Sequence, residues 1–583
     1  MPLDFRNINT LWASTLVETL SRLGLTTAIL CPGSRCAPLT VAFAQHPQIE
    51  AISILDERSA AFFALGLAKR SGIPVALVCT SGTAGANFYP AIIEAKYSRI
   101  PLLVFTADRP PELRDCHAGQ TIDQVKLYGC YPNWQVELAL PSPTGELFPY
   151  LRQTLIQAWR RSRVPLSGVV HLNVPLREPL APTSQAETSI LEAQFQSDDF
   201  FAGLSLSRSP IHPPQSSIPS DIVQAWQQCD RGIIIAGLAQ PRHPQAYCSA
   251  IARLSQSLGF PVLAEGLSPL RNHADFNPYL ITTYDPILRN PQLAEDLTPD
   301  LVIQLGELPT SKQLRIWLEA VSAQRWAIDP APDNLDPLHG RTTHLQLSVE
   351  QIPPLVKGWL GQKQARYLKQ WLNAEMKVRQ ALDRSMAETD FLFEGKLPWL
   401  LSQYLPHKTP IFIANSMPVR DVEYFWQPNN QQFQLFFNRG ANGIDGTLST
   451  ALGISHRCHS SILLTGDLAL LHDTNGFLVR DRFAGHLTII VINNQGGGIF
   501  EMLAISQFEP PFEEYFATPQ EINFAQLCNT YGIEHQPIYS WQQLQSLLTS
   551  LPDSGIRVLE IKTNRKSDAP WRQEMLDSLA GKL

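Results

Sequence analysis

The sequence predicts an α/β protein with three doubly wound domains, each built on a mostly parallel central sheet. Three observations support this fold class. Short β-branched runs alternate with helical segments along most of the chain, which is typical of βαβ units. The 583 residues are too many for one hydrophobic core. A stretch rich in Pro and Ser also separates the first alternating region from the second.

The composition pattern predicts five segments. They are a first α/β domain (1–183), a linker (184–220), a middle α/β domain (221–357), a helical connection (358–388) and a third α/β domain (389–583). The strands are expected in the following runs: TTAILCPG, PVALVCTSG and PLLVFTAD in the first domain; GIIIAGL, PVLAEG, LVIQLGE and RWAIDP in the second; IFIANS, SILLTGD, LTIIVINN and RVLEIK in the third.

Composition and charge narrow the class of function. Hydrophobic residues make up 44% of the chain, charged residues 17%, and the net charge is −7, so no basic excess is available for a nucleic-acid backbone. No apolar run reaches the length of a membrane helix, and the amino terminus lacks the pattern of a leader peptide. Nine cysteines without a CxxC pair favour reduced thiols. We therefore expect a cytoplasmic protein without a nucleic-acid partner or membrane insertion, and we interpret HRCH (456–459) as a surface turn rather than a zinc site.

One βαβ unit of the third domain predicts a cation site. Its first strand ends at Gly466 and Asp467, and its second strand ends at Asn494. Because parallel neighbouring strands end at the same edge of a sheet, both side chains can converge on one hard cation, and the Gly496 carbonyl can add a ligand. Mg²⁺, with Mn²⁺ as the alternative, would keep positions open for diphosphate oxygens, which nearby glycines such as Gly497 allow to approach the backbone.

This spacing of Gly-Asp and Asn-Asn resembles the thiamine diphosphate fingerprint of decarboxylases and carboligases. Leu468 departs from it, because the third residue of that fingerprint is usually small. The resemblance implies an amino-terminal glutamate that contacts the pyrimidine ring, and Glu57 lies at the expected strand-to-helix junction. A carboxylic group there would favour the tautomer in which the cofactor acts as its own base. The alternative is that Glu57 only stabilises the start of a helix through its negative charge at the positive end of the helix dipole.

Motifs along the whole chain resemble the menaquinone-pathway family of 2-succinyl-5-enolpyruvyl-6-hydroxy-3-cyclohexene-1-carboxylate (SEPHCHC) synthases. The likeness is dense in the first and third domains and loose in the middle one. The motifs are CPGSR, DERSAAFFALGLAK, TSGTAGANFYPAIIEA, TADRPPELRDCHAGQTIDQ, NSMPVRDVE, NRGANGIDGTLSTALG and NNQGGGIFEML.

This resemblance implies a transferase of menaquinone or phylloquinone biosynthesis, with a pyrimidine-binding, a middle and a diphosphate-binding domain. In that family, 2-oxoglutarate is decarboxylated on thiamine diphosphate, and the remaining succinyl unit undergoes conjugate addition to isochorismate. The resemblance also implies a homodimer or homotetramer, because the family's cofactor lies between subunits.

Each of these substrates carries two carboxylates, which guanidinium groups bind well. By resemblance, 2-oxoglutarate would contact Ser416, Arg420 and Arg439, whereas isochorismate would contact Ser34, Arg35, Arg109, Gln120 and Lys312. Any one of these arginines could instead form an ordinary surface ion pair. Gln313 stands where the family can carry a second basic residue, which weakens the expectation for Lys312.

The apolar part of the predicted site also comes from the resemblance. Ile444 matches the wedge that bends the cofactor, and Ile499 and Phe500 would line the pocket and exclude water. The full set expected to bind the cofactor is Glu57, Ile444, Gly466, Asp467, Leu468, Asn494, Gly496 and Gly497.

Three alternatives remain open from sequence. The chain could be another thiamine carboligase, such as an acetohydroxyacid synthase-like enzyme, but the many arginines at motif loops argue against that. It could be a non-catalytic sensor that only binds the cofactor. However, a sensor would not need the activating carboxylate Glu57 in addition to Asp467 and Asn494. It could also bind a nucleotide through IIIAGLAQP (233–241), which lacks the later glycines of GxGxxG.

Overall fold

A computed structural model of the chain describes residues 3–144, 146–204, 218–355 and 361–582. Contacts divide the chain into two compact units. Unit 1 comprises Met1–Pro213, Asn438–His459 and Ala469–Leu487, and unit 2 comprises Pro214–Phe437, Ser460–Leu468 and Thr488–Leu583. Three six-stranded, mostly parallel sheets with interleaved helices confirm the predicted fold class. The five predicted domain bounds stay a prediction.

The first sheet lies in unit 1 and has the strand order β2-β1-β3-β4-β6-β5. Its pairs are parallel, and β3, β4 and β6 are buried along their whole length, as expected for a sheet covered on both faces. Its strands are β1 (Thr27–Leu30), β2 (Glu50–Ser53), β3 (Val75–Cys79), β4 (Leu102–Asp108), β5 (Trp134–Glu137) and β6 (Val169–Pro175).

Helices surround this sheet, and one of them begins at Glu57. That helix starts because Asp56 accepts a hydrogen bond from the Ser59 backbone N–H (3.0 Å), and it ends at Gly72 in the left-handed region. The α-helices of unit 1 are Ile8–Leu23, Ala37–Gln45, Glu57–Ser71, Thr83–Asn87, Tyr89–Tyr97, Leu147–Arg161, Ala186–Gln194, Ser197–Phe200 and Thr447–Ser455, with 3₁₀ turns at Pro111–Leu113 and Thr474–Arg482.

The second sheet lies in unit 2 and has the order β12-β11-β10-β7-β8-β9, in which the chain reverses between β7 and β10. This is the strand order of dinucleotide-binding folds. However, a Cβ on Gly237, just after β7, would lie 1.8 Å from the Glu307 carbonyl oxygen, so this chain's own backbone already approaches that point. The strands are β7 (Gly232–Ala236), β8 (Val262–Ala264), β9 (Leu280–Ile281), β10 (Leu301–Leu305), β11 (Gln324–Ile328) and β12 (Thr342–Leu345).

The third sheet has the order β14-β13-β15-β16-β18-β17, which repeats the relative order of the first sheet. The strands β15 and β16 of the predicted cation site are neighbours, as the sequence predicts. The six strands are β13 (Pro410–Ile413), β14 (Gln434–Phe436), β15 (Cys458–Gly466), β16 (Gly485–Asn493), β17 (Glu534–Ile538) and β18 (Gly555–Lys562).

One hydrophobic core of unit 2 includes residues of both its sheets and the long helix Gln362–Glu388, and a second core packs around the middle sheet. Its α-helices are Ser220–Gln228, Pro244–Leu258, Tyr284–Leu288, Pro291–Asp296, Lys312–Ala320, Gln362–Glu388, Lys396–Tyr404, Met417–Phe425, Phe524–Tyr531, Trp541–Leu548 and Arg565–Gly581. Shorter 3₁₀ turns lie at Pro269–Asn272, Ala274–Phe276, Val349–Gln351, Gly498–Met502 and Ala504–Gln507, and a π turn lies at Glu513–Ala517. The helix Asp467–His472 joins the two units in sequence.

Two short helices lie within the segment 184–220, which the sequence predicts as a linker. Helices Ala186–Gln194 and Ser197–Phe200 occupy its first part, because the prolines are concentrated later and Phe195 and Phe200 pack against the core of unit 1. The Pro- and Ser-rich run at 205–217 lies outside the described residues, as do 358–360 of the predicted helical connection.

The connection between β15 and β16 consists of the short α-helix Asp467–His472 and the 3₁₀ segment Thr474–Arg482. The HRCH segment begins with a turn at His456 and Arg457, and Arg457 is exposed as the sequence predicts. His456 itself is buried, with its Nε2 3.0 Å from Glu50 Oε1, and Cys458 begins β15.

Candidate active site

The reversal of strand order in the first sheet places polar residues at one edge. Ser34 and Arg35 follow β1, Ser81 follows β3 and Arg109 follows β4. In doubly wound sheets, ligands bind beyond the carboxyl ends of the strands at this reversal, here between β1 and β3. Ser34 is exposed there, whereas Arg35 is buried.

Arg109 and Arg35 are close enough to influence each other. Burial first, and then the Arg35 charge, lower the pKa of the Arg109 guanidinium, and Asp108 and Glu178 partly offset these effects. Arg35 donates from Nη1 to the Leu176 carbonyl (2.9 Å) and lies 3.4 Å from Glu178. Two cations held near one strand edge favour an anionic ligand.

The side chains of Gln120 and Arg109 both donate hydrogen bonds to Ser81. The Arg109 Nη1 donates to Ser81 Oγ and also to the Gln120 carbonyl (3.2 Å), and the Gln120 side-chain amide donates to the Ser81 carbonyl (2.9 Å). Ser81 is fully buried and was missed by the sequence reasoning, although it lies in the quoted TSGTAGANFYPAIIEA motif. The loop after β3 and the connection between β4 and β5 therefore fix the position of the Arg109 guanidinium.

The loop that carries Gln120 has unusual backbone geometry. Asp115, His117, Gln120 and Lys126 all have positive φ, between 54° and 61°, a region that residues other than glycine rarely adopt. The loop borders an open pocket of about 610 Å³, lined by Arg114, Asp115, His117, Ala118, Thr121, Ile122 and Asp123.

Glu57 is the first residue of its helix and is half-buried. The preceding Asp56 is held by two groups, the Ser59 N–H and the Asn475 side-chain amide (2.7 Å). Buried Cys31, just after β1, lies close enough for the Glu57 charge to raise the pKa of its thiol further, after the larger effect of burial. The start of this helix is thus fixed beside the β1 edge of unit 1.

A second loop of unit 1 carries Arg439 and Ile444. Buried Glu94 accepts hydrogen bonds from the backbone N–H groups of Gly440 (3.0 Å) and Ala441 (2.7 Å), which anchors this loop next to Arg439. Ile444 is half-buried, and its carbonyl accepts a hydrogen bond from Thr447 Oγ1 (2.7 Å) at the start of the following helix.

In unit 2, Asp467 lies at the end of β15 and is 4% exposed. Its carboxylate accepts hydrogen bonds from the Leu468 N–H (2.7 Å) and the Gly496 N–H (3.0 Å). Burial raises the pKa of Asp467 to about 6, because desolvation disfavours the carboxylate more than these N–H groups favour it. A bound cation would remove this penalty.

Asn494 lies at the end of β16 and is also buried. Its Nδ2 donates to Glu394 Oε2 (2.8 Å), while its Oδ1 is buried and accepts no hydrogen bond from the described residues. A buried amide oxygen without a donor is costly unless a ligand fills its place. Asp467, Asn494 and the Gly496 carbonyl are the hard oxygen donors that Mg²⁺ prefers, so these residues fit a magnesium ion.

The glycines of this edge allow close approach to the backbone. Gly496 has φ +135°, and a Cβ there would lie 2.4 Å from the Ala517 carbonyl oxygen. At Gly466, a Cβ would meet no described atom within 4 Å, which leaves open space beside Asp467. Gly497 is buried and donates its N–H to the Ala517 carbonyl (2.7 Å), so it is not free to bind phosphate in this conformation.

Ser416 and Arg420 lie together at the end of β13. Ser416 has φ +71° and ψ −130°, a strained conformation for serine, and Arg420 Nη1 donates to its carbonyl oxygen (2.7 Å). Their helix, Met417–Phe425, starts at the strand-order reversal of the third sheet, between β13 and β15.

The remaining predicted residues of unit 2 have simpler surroundings. Ile499 and Phe500 are half-buried in the turn after the glycines, and Phe500 packs edge-on against Phe516. Leu468 is half-buried after Asp467. Lys312 is exposed at the first position of its helix, and the neighbouring Gln313 side chain donates to the Leu288 carbonyl (2.9 Å), which gives Gln313 a structural contact.

Two models of known protein families match the chain. The N-terminal TPP binding domain of thiamine pyrophosphate enzymes matches residues 12–127, and the middle domain of thiamine pyrophosphate matches residues 208–413. The 4-hydroxybenzoylformate decarboxylase of Rhodococcus jostii RHA1, a thiamine diphosphate-dependent enzyme, has the same fold, with a TM-score of 0.66 at 16% identity, over 95% of this chain and 99% of that one. The fold and the matched domains define a thiamine diphosphate-dependent enzyme.

Curated relatives identify the family within this class. The 2-succinyl-5-enolpyruvyl-6-hydroxy-3-cyclohexene-1-carboxylate synthase of Nostoc sp. is 62% identical over 100% of this chain and 99% of its own length. Synthases of the same name from Trichormus variabilis and Gloeothece citriformis are 63% and 61% identical, over 100% of this chain and 99% and 100% of their own lengths. The chain belongs to the SEPHCHC synthase family. The predicted family, thiamine diphosphate as cofactor, and the transferase class are confirmed.

Proposed function

We propose that the chain decarboxylates 2-oxoglutarate and adds the remaining succinyl unit to isochorismate, giving SEPHCHC and CO₂ in menaquinone or phylloquinone biosynthesis. The observation that carries this proposal is the identity of 61% or more to synthases of that name over the whole chain. When bound, thiamine diphosphate supplies the electron sink that lets a 2-oxo acid lose CO₂ and its former carbonyl carbon act as a nucleophile.

Asp467, Asn494 and the Gly496 carbonyl hold Mg²⁺, or Mn²⁺ in its place, in this proposal. The support is local: a buried carboxylate with a raised pKa lies beside a buried amide oxygen that no described donor reaches. The cation would hold the cofactor's diphosphate, and the open space at Gly466 would let it approach the strand end. Gly497 and Leu468 would contribute only packing around it.

Glu57 would act on the pyrimidine end of the cofactor. The start of its helix is fixed through Asp56, which gives the Glu57 backbone a defined position. A proton held between this carboxyl and the pyrimidine N1′ would activate the cofactor without another base. Ile444 would support the bent form of the cofactor, and Ile499 and Phe500 would exclude water.

The substrate carboxylates would be bound by two groups of residues. Isochorismate would contact the cationic edge formed by Arg35 and Arg109, with Ser34, Gln120 and, more weakly, the exposed Lys312. The 2-oxoglutarate-derived unit would contact Ser416, Arg420 and Arg439. The pairing of Arg35 with Arg109 supports this assignment, because like charges that lie close together are best stabilised by a dianion.

Assembly and location belong to the same proposal. We propose a homodimer or homotetramer with cofactor sites between subunits, as the resemblance implies. We also propose a cytoplasmic location, which the nine free and mostly buried cysteines support. Among the residues that the structure describes, no helix is long and apolar enough to cross a lipid bilayer.

Mass spectrometry of the products tests the reaction. The purified protein is incubated with thiamine diphosphate, Mg²⁺, 2-oxoglutarate and isochorismate, and each component is omitted in turn. We expect a product with the mass of both substrates minus CO₂ only in the complete mixture. Failure of folded, cofactor-loaded protein to form it would contradict the substrate assignment, and pyruvate would then be tested as the donor.

A further inference from the structure

The side-chain amide of Asn494 is held in one orientation by Glu394. Asn494 Nδ2 donates to Glu394 Oε2 at 2.8 Å, and both residues are buried. A carboxylate only accepts hydrogen bonds, so it selects the amide nitrogen and turns the amide oxygen the other way. That oxygen, Oδ1, is the buried atom that no described donor reaches.

The other oxygen of Glu394 is held by a buried arginine. Arg572 Nη2 donates to Glu394 Oε1 at 2.6 Å, and the same guanidinium forms a forked contact with Asp421, at 2.7 and 3.1 Å. Arg572 is completely buried under the ring of Phe393, whose centroid lies 5.3 Å from its Cζ. One oxygen of Glu394 is thus held by Arg572, and the other faces the Asn494 amide.

These residues come from distant parts of unit 2. Glu394 precedes the helix Lys396–Tyr404, and Arg572 lies on the last helix, Arg565–Gly581. The Glu394 N–H also donates to Asp568 of that helix (3.2 Å), so its backbone is fixed as well as its side chain. The contact with Asn494 is therefore made by a rigid group rather than by a mobile surface carboxylate.

We propose that Glu394, held by Arg572, is a positioning residue that aims the Asn494 oxygen at the cation. The inference rests on the proposed function, in which Asn494 binds Mg²⁺. Partners that orient a metal ligand typically contribute about 10- to 100-fold in metal affinity. Glu394 itself does not contact the cation or the substrate in this proposal.

The substitution Glu394→Gln is expected to reverse the orientation of the Asn494 side-chain amide. The introduced amide can keep its oxygen toward Arg572, but its nitrogen then faces Asn494 and selects the Asn494 oxygen. The Asn494 nitrogen would turn toward the cation, which an N–H group repels. We expect the apparent Mg²⁺ dissociation constant, measured by titrating thiamine diphosphate binding with Mg²⁺ in a calorimeter, to rise about 10- to 100-fold.

The double variant Glu394→Gln/Asn494→Asp gives a sharper test. In the single variant Asn494→Asp, a carboxylate faces the Glu394 carboxylate, so Mg²⁺ binding should weaken even though carboxylates are good Mg²⁺ ligands. In the double variant, the introduced glutamine amide donates to one oxygen of the introduced aspartate and leaves the other oxygen for the cation. We expect the double variant to bind Mg²⁺ more tightly than either single variant.

Asn493 provides a matched control in the preceding position. Its Nδ2 donates to Glu560 Oε1 at 2.7 Å, and both residues are buried, so Glu560→Gln changes the same type of contact away from the proposed cation ligands. We expect Glu560→Gln to leave the Mg²⁺ dissociation constant within about twofold while it lowers the melting temperature, since a buried contact is lost.

Each outcome decides between two claims. If the wild type binds thiamine diphosphate without any dependence on Mg²⁺, the proposed cation site itself is wrong. If binding depends on Mg²⁺ but Glu394→Gln equals the wild type, or Glu560→Gln weakens Mg²⁺ binding equally, the positioning role is wrong and the cation site stands. If Glu394→Gln does not fold, tighter Mg²⁺ binding by Asn494→Asp alone would overturn the inference.

Discussion

Asp467 and Asn494 illustrate how burial supports a proposed role for single residues. Both are polar groups that the fold removes from water, and neither is fully compensated by the described residues. Burying a carboxylate or an amide without compensation is unfavourable, so such groups indicate a ligand that completes the site. At the residue scale, the proposed cation site is identified by two buried side chains whose oxygens lack sufficient hydrogen bonds from the described residues.

Glu57 gives the first prediction at this scale. We expect Glu57→Gln to lower kcat about 10²- to 10⁴-fold, because the amide cannot exchange a proton with the pyrimidine, while thiamine diphosphate still binds. Steady-state kinetics and cofactor titration measure the two effects.

Glu187 is the control for Glu57, because it also lies in the first turn of a helix. If both carboxylates only stabilise helix starts, Glu57→Gln and Glu187→Gln would each cost about 0.3–1 kcal/mol of stability and leave kcat unchanged. Full activity of the Glu57→Gln variant would refute the proposed mechanism.

Arg420 gives the second prediction. Replacing it with Ala removes a charge-assisted partner of the substrate, so we expect the KM for 2-oxoglutarate to rise about 10- to 100-fold. The thiamine diphosphate dissociation constant should change little, since Arg420 is assigned to the substrate. Exposed Arg366 is the control, and Arg366→Ala should match the wild type. An equal loss of cofactor affinity in Arg420→Ala would contradict the assigned role.

At the element scale, the helix that begins with Glu57 is positioned by a close helix crossing. Gly66 on this helix and Gly453 on Thr447–Ser455 let the two backbones approach within unit 1: a Cβ on Gly66 would lie 2.2 Å from the Thr450 carbonyl oxygen, and one on Gly453 would lie 2.1 Å from the Phe63 carbonyl oxygen. The second helix follows Ile444, so the crossing fixes two proposed cofactor-binding residues relative to each other.

Gly66→Ala tests this crossing. Helix propensity alone predicts a gain of up to about 1 kcal/mol, because alanine favours the helix over glycine. The clash with Thr450 predicts the opposite, and we expect a net loss of about 1–3 kcal/mol in the free energy of unfolding, measured by denaturant titration. Gly581→Ala, where a Cβ meets no described atom within 4 Å, should be neutral or stabilising. A stabilised Gly66→Ala variant would show that the crossing can relax.

At the scale of the whole molecule, the first and third sheets share one relative strand order, whereas the middle sheet has another. The shared order places a strand-order reversal in each, and at these reversals Ser34 and Arg35 follow β1, Ser416 follows β13 and Asp467 follows β15. The middle sheet has its own reversal, but the Gly237 and Glu307 backbones meet there, which argues against the nucleotide-binding alternative.

The proposed assembly makes a prediction for mixed oligomers. If one cofactor site combines Glu57 of one subunit with Asp467 of the other, a mixture of Glu57→Gln and Asp467→Asn chains contains dimers with one intact site. Random reassociation should then restore about a quarter of the wild-type activity, although each variant alone is inactive. Activity assays after denaturation and refolding of the mixture measure this. No restored activity, despite mixed dimers in native mass spectrometry, would contradict the inter-subunit site.

The sequence by itself determined the fold class, the family and the residues at the strand ends, because strand periodicity and motifs are local properties of the chain. Asp467 and Asn494 could be predicted for this reason, as neighbouring parallel strands end at the same edge. The sequence could not show that Ser81 holds Arg109 or that Glu94 anchors the Arg439 loop, because these contacts join distant segments.

Only the tertiary structure decided which polar groups are buried and what compensates them. His456 is buried beside Glu50, although the sequence predicts a surface turn there. Glu394 and Arg572 lie outside the quoted motifs and far apart in sequence, yet they meet behind Asn494. Electrostatic compensation depends on distance in space rather than on position in the sequence. Glu394, the residue proposed to orient Asn494, could therefore be identified only from the tertiary structure.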